Sequence, residues 1–278
     1  MSYNTACSTD LPLAALVNTG VHDVVLAVSA HFHSFPDKPD WIATQGLAME
    51  YSPDPSDLTA IPLHIAPYLE DGVSIRHHAY FPQYEIADAN RAVAEQATQF
   101  HLRYLDAIRG IGEPHVTVHI GLTPGREIDR ELAVSNLSRI VEHASGLGIS
   151  VALENLKQGV TSNPRTVVDW CRQSGAGITL DVGHAVSCDG VRRGAFSVPD
   201  IIALFGERLQ EVHLYESETD RHHAPRDMRI LGGIVDRLIE TDCRWWTIEL
   251  DSPEEIQTTR ELVEQHLLVN DPYHKNVG

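Results

Sequence analysis

Histidine and carboxylate residues recur in this chain at the ends of short β-branched segments, where they could bind metal ions. The sequence has 16 His and 39 Asp and Glu residues among its 278. Imidazole and carboxylate groups together suit divalent metal ions, zinc above all, with manganese, magnesium, iron or cobalt as alternatives. The candidate metal ligands, in chain order, are His78, His119, Glu154, Asp181, His184, His213, Asp220, His222 and Glu249.

Taken singly, none of these residues indicates a metal. A histidine at a strand end is more often a hydrogen-bonded structural residue, and a buried glutamate is more often half of an ion pair. Clustered carboxylates, however, repel one another strongly unless cations lie between them. The combined pattern therefore predicts a metal site.

The segments that must position these residues alternate between strands and helices. β-branched runs predict strands at residues 3–8, 23–29, 73–79, 115–120, 149–154, 177–182, 210–215 and 245–250. Amphipathic periodicity predicts helices between them, most clearly over residues 87–109 and 128–145. Eight such repeats are typical of a closed (β/α)8 TIM barrel. We therefore predict an α/β protein with a single TIM-barrel domain over residues 1–278, in which residues 30–72 form a long loop and a short second helix.

Side-chain parity predicts where the candidate ligands point. Residues two apart on a strand share a face, and the ligands share parity with small or polar residues such as Thr117 and Thr179, while Val116 occupies the opposite face. We expect the ligands to point into the barrel and to meet at its C-terminal mouth, where active sites of this fold lie. By the same parity, His77 should face the helices, so His78 is the preferred ligand.

The composition limits the class of partner. The chain has 39 acidic and 21 basic residues and a formal charge of −18, whereas proteins that grip a phosphate backbone usually present a basic face. Four cysteines without CxxC spacing argue against a disulfide scaffold or a thiolate zinc site. No apolar run reaches the roughly 18–20 residues of a membrane span, and no signal-peptide pattern is found. We therefore expect a cytoplasmic protein with a small-molecule partner, without nucleic acid or membrane attachment; the oligomeric state is left open.

Motifs at the strand ends resemble those of a known superfamily. They are HAY, VHIG, ALEN, LDVGHA, VHLYES, DRHH and IELD. Through them the chain resembles the xylose-isomerase-like TIM barrels, which include endonuclease IV and the sugar isomerases and epimerases. The resemblance extends from the third strand to the last helix.

The resemblance implies two alternative ligand sets. In the isomerases and epimerases, Glu154, Asp181, His213 and Glu249 would hold a single metal, and the two glutamates would be catalytic residues that move protons on a sugar. The endonuclease IV branch implies three metals instead. Their ligand sets would be His78, His119 and Glu154; then Glu154, Asp181, His213 and Glu249; then His184, Asp220 and His222.

The presence of all nine ligands decides which reaction we expect. Isomerisation needs a metal and one or two bases, whereas phosphoester hydrolysis gains from several cations. We therefore expect a metal-dependent hydrolase of a small phosphoester or phosphodiester, such as a cobamide nucleotide loop or a sugar phosphate, with a di- or trinuclear site. The alternative is a metal-dependent sugar or sugar-phosphate isomerase or epimerase that uses two glutamates as proton shuttles.

Two further functions are disfavoured. An endonuclease acting on abasic DNA conflicts with the formal charge of −18 and with the short interval between His213 and Asp220. A non-catalytic, metal-dependent binder would have little reason to keep the outer ligands.

Basic side chains in the loop after the seventh strand are candidates for binding substrate phosphate, with solvated loop residues as the alternative. These candidates are Arg221, Arg226 and Arg229. Lys157 and Arg126 lie in loops on the same face. His31 and His33 follow the second predicted strand and could line the pocket.

Overall fold

A closed barrel of parallel strands forms the centre of the molecule. The computed structural model describes residues 23–32 and 37–270. The barrel strands are β1 (Val25–His31), β2 (Ala48–Ser52), β3 (Ile75–Ala79), β4 (His115–Val118), β5 (Ser150–Glu154), β6 (Gly177–Asp181), β7 (Leu209–Leu214) and β10 (Trp245–Ile248). They follow one another around the ring in this order, and β10 pairs in parallel with β1 to close it. The predicted TIM barrel is confirmed.

A short hairpin and the crossover helices complete the described fold. Strands β8 (Ser217–Glu218) and β9 (His222–His223) pair antiparallel after β7. The helices are α1 (Lys38–Thr44), α2 (Ile61–Glu70), α3 (Arg91–Ile108), α4 (Arg130–Gly146), α5 (Pro164–Ser174), α6 (Val182–Ser187), α7 (Asp189–Arg192), α8 (Val198–Phe205), α9 (Gly232–Leu238) and α10 (Pro253–Asn270). Within the described ranges, no helix is both long and apolar enough to span a bilayer.

Capping residues set the helix starts. Asn90 accepts a hydrogen bond from the backbone of Ala92, so α3 begins at Arg91 rather than at the predicted residue 87. Asp129 caps α4 in the same way. At α8, Ser197 and Asp200 form a reciprocal capping box.

The strand predictions are accurate to within two residues at each end for β1, β3, β4, β5, β6, β7 and β10. The predicted strand at 3–8 lies outside the described residues. The prediction of a long loop and one short helix over 30–72 is wrong, because α1, β2 and α2 lie there. All five residues of β2 are buried. The segment AMEYS has no β-branched residue, and its alternation of Met49 and Tyr51 with Glu50 and Ser52 extends over too few residues to indicate a strand by itself.

The barrel interior is polar, as side-chain parity predicted. Thr117 of β4 and Thr179 of β6 share a hydrogen bond of 2.8 Å across the interior, while Val116 packs outward in the hydrophobic core. Toward the N-terminal end of the barrel, Glu211 lies 3.2 Å from Arg76 and accepts a 2.8 Å hydrogen bond from the Thr247 hydroxyl. These internal polar contacts form a floor below the C-terminal mouth.

Candidate metal centre

Six buried side chains converge at the C-terminal mouth of the barrel. They are Glu50 of β2, His78 of β3, His119 after β4, Glu154 of β5, His213 of β7 and Glu249 after β10. The Oε2 atom of Glu154 lies at the middle of the group. It is 2.9 Å from His119 Nε2, 3.2 Å from His213 Nδ1 and 3.5 Å from His78 Nε2.

The donor atoms at this point suit a metal ion. Within the described part of the chain, Glu154 Oε2, His213 Nδ1 and His78 Nδ1 are buried without a hydrogen-bond partner. Buried polar atoms normally have one, and each exception requires an explanation. His78, His119 and Glu154 place one donor atom each within 4.8 Å of one another. Nitrogen and carboxylate oxygen donors at such separations match the ligands of zinc and similar cations.

A second group lies beside the first, nearer to solvent. His184 Nδ1 is 3.0 Å from the carbonyl oxygen of Asn155, and His222 Nδ1 is 2.7 Å from that of Glu249. A carbonyl oxygen only accepts, so both Nδ1 atoms carry a proton, and each Nε2 atom can bind a cation when its ring is neutral. His184 Nε2 is 3.1 Å from Glu218 Oε2. The three side chains His184, Glu218 and His222 therefore form a further group that could hold a cation.

Asp181 joins the two groups and begins helix α6. Its Oδ1 atom accepts a 2.6 Å hydrogen bond from the backbone of His184, and its Oδ2 atom accepts one of 3.0 Å from the Tyr215 hydroxyl. The ring of Tyr215 stacks on that of His222 with 3.9 Å between centroids. Burial raises the pKa of Asp181 to about 6, against the opposing effect of His184.

Charge balance dominates the first group, the six buried side chains around Glu154, which we call the deeper group. Burial would lower the pKa of His78, but the carboxylates of Glu50 and Glu154 outweigh burial and raise this pKa to about 10. Burial would raise the pKa of Glu154, but His119 and His213 hold it well below its ordinary value. In the absence of a metal, the carboxylates therefore favour the protonated forms of His78 and His213. A cation at the same place would supply that positive charge instead.

A cleft of about 390 Å³ opens onto both groups. Its floor includes His119, Glu154 and Glu249. Its walls include Tyr80, Leu122, Leu156 and Val160, together with Arg126 and Lys157 from the loops after β4 and β5. A volume of this size is at the lower end for pockets that bind small molecules.

Most of the predicted ligands come together, but Asp220 does not. His78, His119, Glu154, Asp181, His184, His213, His222 and Glu249 all lie in or between the two groups. Asp220 is exposed at the tip of the β8–β9 hairpin, where its carboxylate accepts a hydrogen bond from Thr219. Glu218 and His222 are cross-strand partners in that hairpin, so they share a face and Glu218 occupies the place expected for Asp220.

The predicted phosphate-binding arginines also lie elsewhere. Arg221 is exposed and contacts Glu255 at 3.3 Å, and Arg229 is exposed and bonded to Asp227. Arg226 is exposed as well. Among the described residues that line the cleft, the basic side chains are those of Arg126 and Lys157, apart from histidines.

Side-chain parity placed His77 correctly. His77 faces outward and contacts the carbonyl oxygen of Ile111 at 2.8 Å. His31 Nε2 lies 3.8 Å from Glu249 Oε1, at the edge of the deeper group. His33 lies outside the described residues.

Two residues of the site were missed by sequence reasoning. Glu50 lies on β2, the strand that the sequence did not predict, so no parity argument could include it. Glu218 lies in the segment YESETD, two residues before Asp220, and the hairpin register alone distinguishes them. The cross-strand pairing of Glu218 with His222 would have identified Glu218, but the sequence analysis did not predict the hairpin.

Comparison with known proteins identifies a sequence relative and solved structures with a similar fold. The chain is 31% identical over 157 residues to an uncharacterised protein of Methanocaldococcus jannaschii, which covers 56% of this chain and 68% of the relative. A D-tagatose 3-epimerase-like protein superposes with a TM-score of 0.72 at 21% identity, covering 91% of this chain and 100% of that one. D-psicose 3-epimerase from Clostridium cellulolyticum H10 superposes with a TM-score of 0.65 at 14% identity, covering 90% and 98%.

These comparisons correct the expected reaction. The prediction of a phosphoester hydrolase is contradicted, because several of the matched structures are named as sugar epimerases. One of the residues that favoured a hydrolase, Asp220, is at an exposed hairpin tip.

The family itself is shown by a separate comparison. A family profile described as the xylose isomerase-like TIM barrel matches residues 55–267, which include most of the barrel and nearly all of the residues described above. The resemblance predicted from the strand-end motifs is confirmed. The chain belongs to the xylose isomerase-like TIM barrel family.

Proposed function

We propose that this chain is a metal-dependent epimerase or isomerase of a small sugar. One observation carries the proposal: Glu154 and Glu249, both buried, place carboxylate oxygens 3.2 and 3.6 Å from the same atom, His213 Nδ1, at the floor of the cleft. Two carboxylates around one point can remove a proton from a sugar carbon and return one to it. The sugar epimerases with the same barrel support this choice of substrate class.

The residues that would hold the metal are those of the deeper group. Glu154, His213 and Glu249 provide donor atoms around one position, with Asp181 adjoining, and His78 and His119 lie against Glu154. A divalent cation held there would polarise the carbonyl group of a sugar and so acidify the neighbouring C–H bond. Nitrogen and oxygen donors favour zinc, with manganese, magnesium, iron or cobalt as alternatives. His184, Glu218 and His222 are the residues for any second ion.

The two glutamates would divide the proton transfer. They come from different sides of the barrel, because β6 and β7 separate β5 from β10 in the sheet. In an epimerisation, one carboxylate removes the proton from the carbon next to the carbonyl, and the other returns a proton to the opposite face. His213, in contact with both carboxylates, keeps them oriented toward the same substrate atom.

The cleft limits the size of the substrate. Its volume of about 390 Å³ accommodates a small sugar. Tyr80 lies above the deeper group, with its ring in edge contact with His119 at 5.9 Å between centroids. An aromatic ring in this position can cover the apolar face of a sugar, while Lys157 and Arg126 can bind its hydroxyl groups or a phosphate.

Hydrogen exchange with solvent tests the proposal directly. Metal-loaded protein is incubated in deuterium oxide with ketopentoses, ketohexoses and their phosphates, and the carbon-bound protons are followed by NMR. We expect deuterium to enter next to the carbonyl, and epimers to form. Glu154→Gln and Glu249→Gln should each lower the rate by about 10²–10⁴-fold. The matched control, Glu142→Gln, changes an exposed glutamate of α4 and should have no effect. Absence of exchange on every sugar with metal bound would overturn the proposal.

A further inference from the structure

Glu50 is a wholly buried carboxylate directly beneath the candidate metal ligands. Its Oε1 atom lies 3.0 Å from His213 Nε2, and its Oε2 atom lies 3.4 Å from His78 Nδ1. Among the described residues, these two imidazoles are its salt-bridge partners. One buried carboxylate thus contacts two candidate ligands at once, each on the ring nitrogen that faces away from Glu154.

We propose that Glu50 is a positioning residue that sets the tautomer and the ring orientation of both His213 and His78. This inference rests on the proposed metal-dependent function. A neutral imidazole has one N–H group and one lone pair, and the hydrogen bond made by one nitrogen decides which nitrogen binds a metal. Glu50 accepts a hydrogen bond from His213 Nε2 and lies within ion-pair distance of His78 Nδ1, so its negative charge favours a proton on each of these nitrogens. The lone pairs are then left on His213 Nδ1 and His78 Nε2.

The consequence is convergence of the lone pairs. His213 Nδ1 and His78 Nε2 lie 3.2 and 3.5 Å from the same atom, Glu154 Oε2. The two rings use different nitrogens, Nδ1 in one and Nε2 in the other, to reach one point. Opposite tautomers are therefore required at two neighbouring ligands, and one carboxylate between the rings satisfies both requirements.

A ligand role for Glu50 is the competing interpretation. Glu50, His78 and His213 place donor atoms within 4.8 Å of one another, so they could hold a cation by themselves. In that case, His78 and His213 would turn their other nitrogens toward the metal. The two interpretations differ in the metal stoichiometry of a Glu50 variant, which the experiment below measures.

The experiment compares Glu50→Gln with a matched variant. Glutamine keeps the volume of Glu50 but replaces one acceptor with an amide donor, so both histidines can no longer donate to it. Glu211→Gln is the control, because Glu211 is also wholly buried and contacts His115 at 3.0 Å and Arg76 at 3.2 Å, at the other end of the barrel. Glu50→Asp retains the carboxylate and serves if the glutamine variant does not fold.

Two readouts that need no sugar substrate decide the outcome. Cobalt(II) titration followed by visible absorption gives the dissociation constant and the number of sites, and ¹⁵N NMR of the zinc-loaded protein gives the histidine tautomers. For Glu50→Gln we expect metal binding about 10- to 100-fold weaker at unchanged stoichiometry, with loss of the Nε2–H form of His213 or the Nδ1–H form of His78. Glu50→Asp should weaken binding less, and Glu211→Gln should leave the dissociation constant unchanged.

Each other result overturns the inference. Equal affinity and unchanged tautomers in Glu50→Gln would show that Glu50 positions nothing. Loss of one metal equivalent would show that Glu50 is itself a ligand. Failure of the proposed function is separate, since it would appear as metal-loaded wild-type protein that exchanges no sugar protons. If Glu211→Gln weakens metal binding as much as Glu50→Gln does, the effect is general destabilisation and the inference fails.

Discussion

The replacement Gly183→Ala should damage the site through a single steric contact. A Cβ atom at position 183 would lie 1.9 Å from Cε2 of Tyr215 and 2.4 Å from its Cζ. The ring of Tyr215 is wholly buried, so it cannot move aside without displacing its neighbours. Those neighbours include Asp181, which accepts the Tyr215 hydroxyl at 3.0 Å, and His222, on which the ring stacks.

The size of the effect follows from three contributions. Overpacking a buried site costs about 1–3 kcal/mol. Losing the hydrogen bond from Tyr215 to the Asp181 carboxylate costs about 1.5–3 kcal/mol. Alanine in a helix regains about 0.5–1 kcal/mol relative to glycine. The net loss of about 3 kcal/mol should lower Tm by about 6–12 °C in a domain of this size.

Urea denaturation, followed by circular dichroism, measures this loss as a change in the midpoint at constant slope. Gly233→Ala is the matched control, because Gly233 is also the second residue of a helix and an added Cβ would meet nothing within 4 Å. It should be neutral or slightly stabilising. In a Tyr215→Ala background, Gly183→Ala should lose its penalty. If Gly183→Ala is as stable as the wild type, the ring of Tyr215 has room to move and the reasoning fails.

Three other predictions concern the charges of the site. The pKa of His78, raised to about 10 in the metal-free protein, makes protons compete with metal, so affinity should rise with pH up to about pH 10 in chelator-competition titrations; a flat profile would contradict this. The same pKa lies above the unfolded value of about 6.5. The ion pairs of protonated His78 should therefore stabilise metal-free protein in full below about pH 6.5, and this stabilisation should be lost as pH rises through about 10. His213→Leu removes the nearer of the two imidazole partners of the buried Glu50 carboxylate and should destabilise metal-free protein by up to about 3–5 kcal/mol in urea; a loss below about 1 kcal/mol would refute the pairing. Glu218→Gln should lower the metal content bound by His184, Glu218 and His222, whereas Asp220→Asn should leave the metal content unchanged, as measured by elemental analysis. Loss of metal in Asp220→Asn but not in Glu218→Gln would instead identify Asp220 as the ligand.

The inward and outward faces of the strands and the starts of some helices were predictable because strand parity and helix capping both act locally. Strand β4 has alternating parity, so Thr117 pointed inward and Val116 outward whatever the rest of the chain did. Short-range capping by Asn163 and Ser197 likewise placed the starts of α5 and α8. These signals lie within a few residues of the features that they determine, which is why they can be interpreted without the fold.

The missed residues depend on contacts between distant segments. Glu50 reaches His213 across 163 positions of sequence, and its strand has five residues, none of them β-branched. The choice of Glu218 over Asp220 depends on the hairpin register that pairs Glu218 with His222. Both features are decided by contacts that the neighbouring sequence does not specify.

The sequence by itself determined the kind of barrel, the inward parity of its polar residues and most of the side chains at the mouth. These follow from the two-residue period of strands, and from the fact that active-site residues of a parallel barrel lie at the C-terminal ends of its strands. The tertiary structure alone decided which carboxylate completes each group, which nitrogen of each imidazole faces Glu154, and that the basic residues Arg221, Arg226 and Arg229 lie away from the cleft. Such choices depend on distances of 3–4 Å between side chains from different strands, and only the closing of the barrel brings those side chains together.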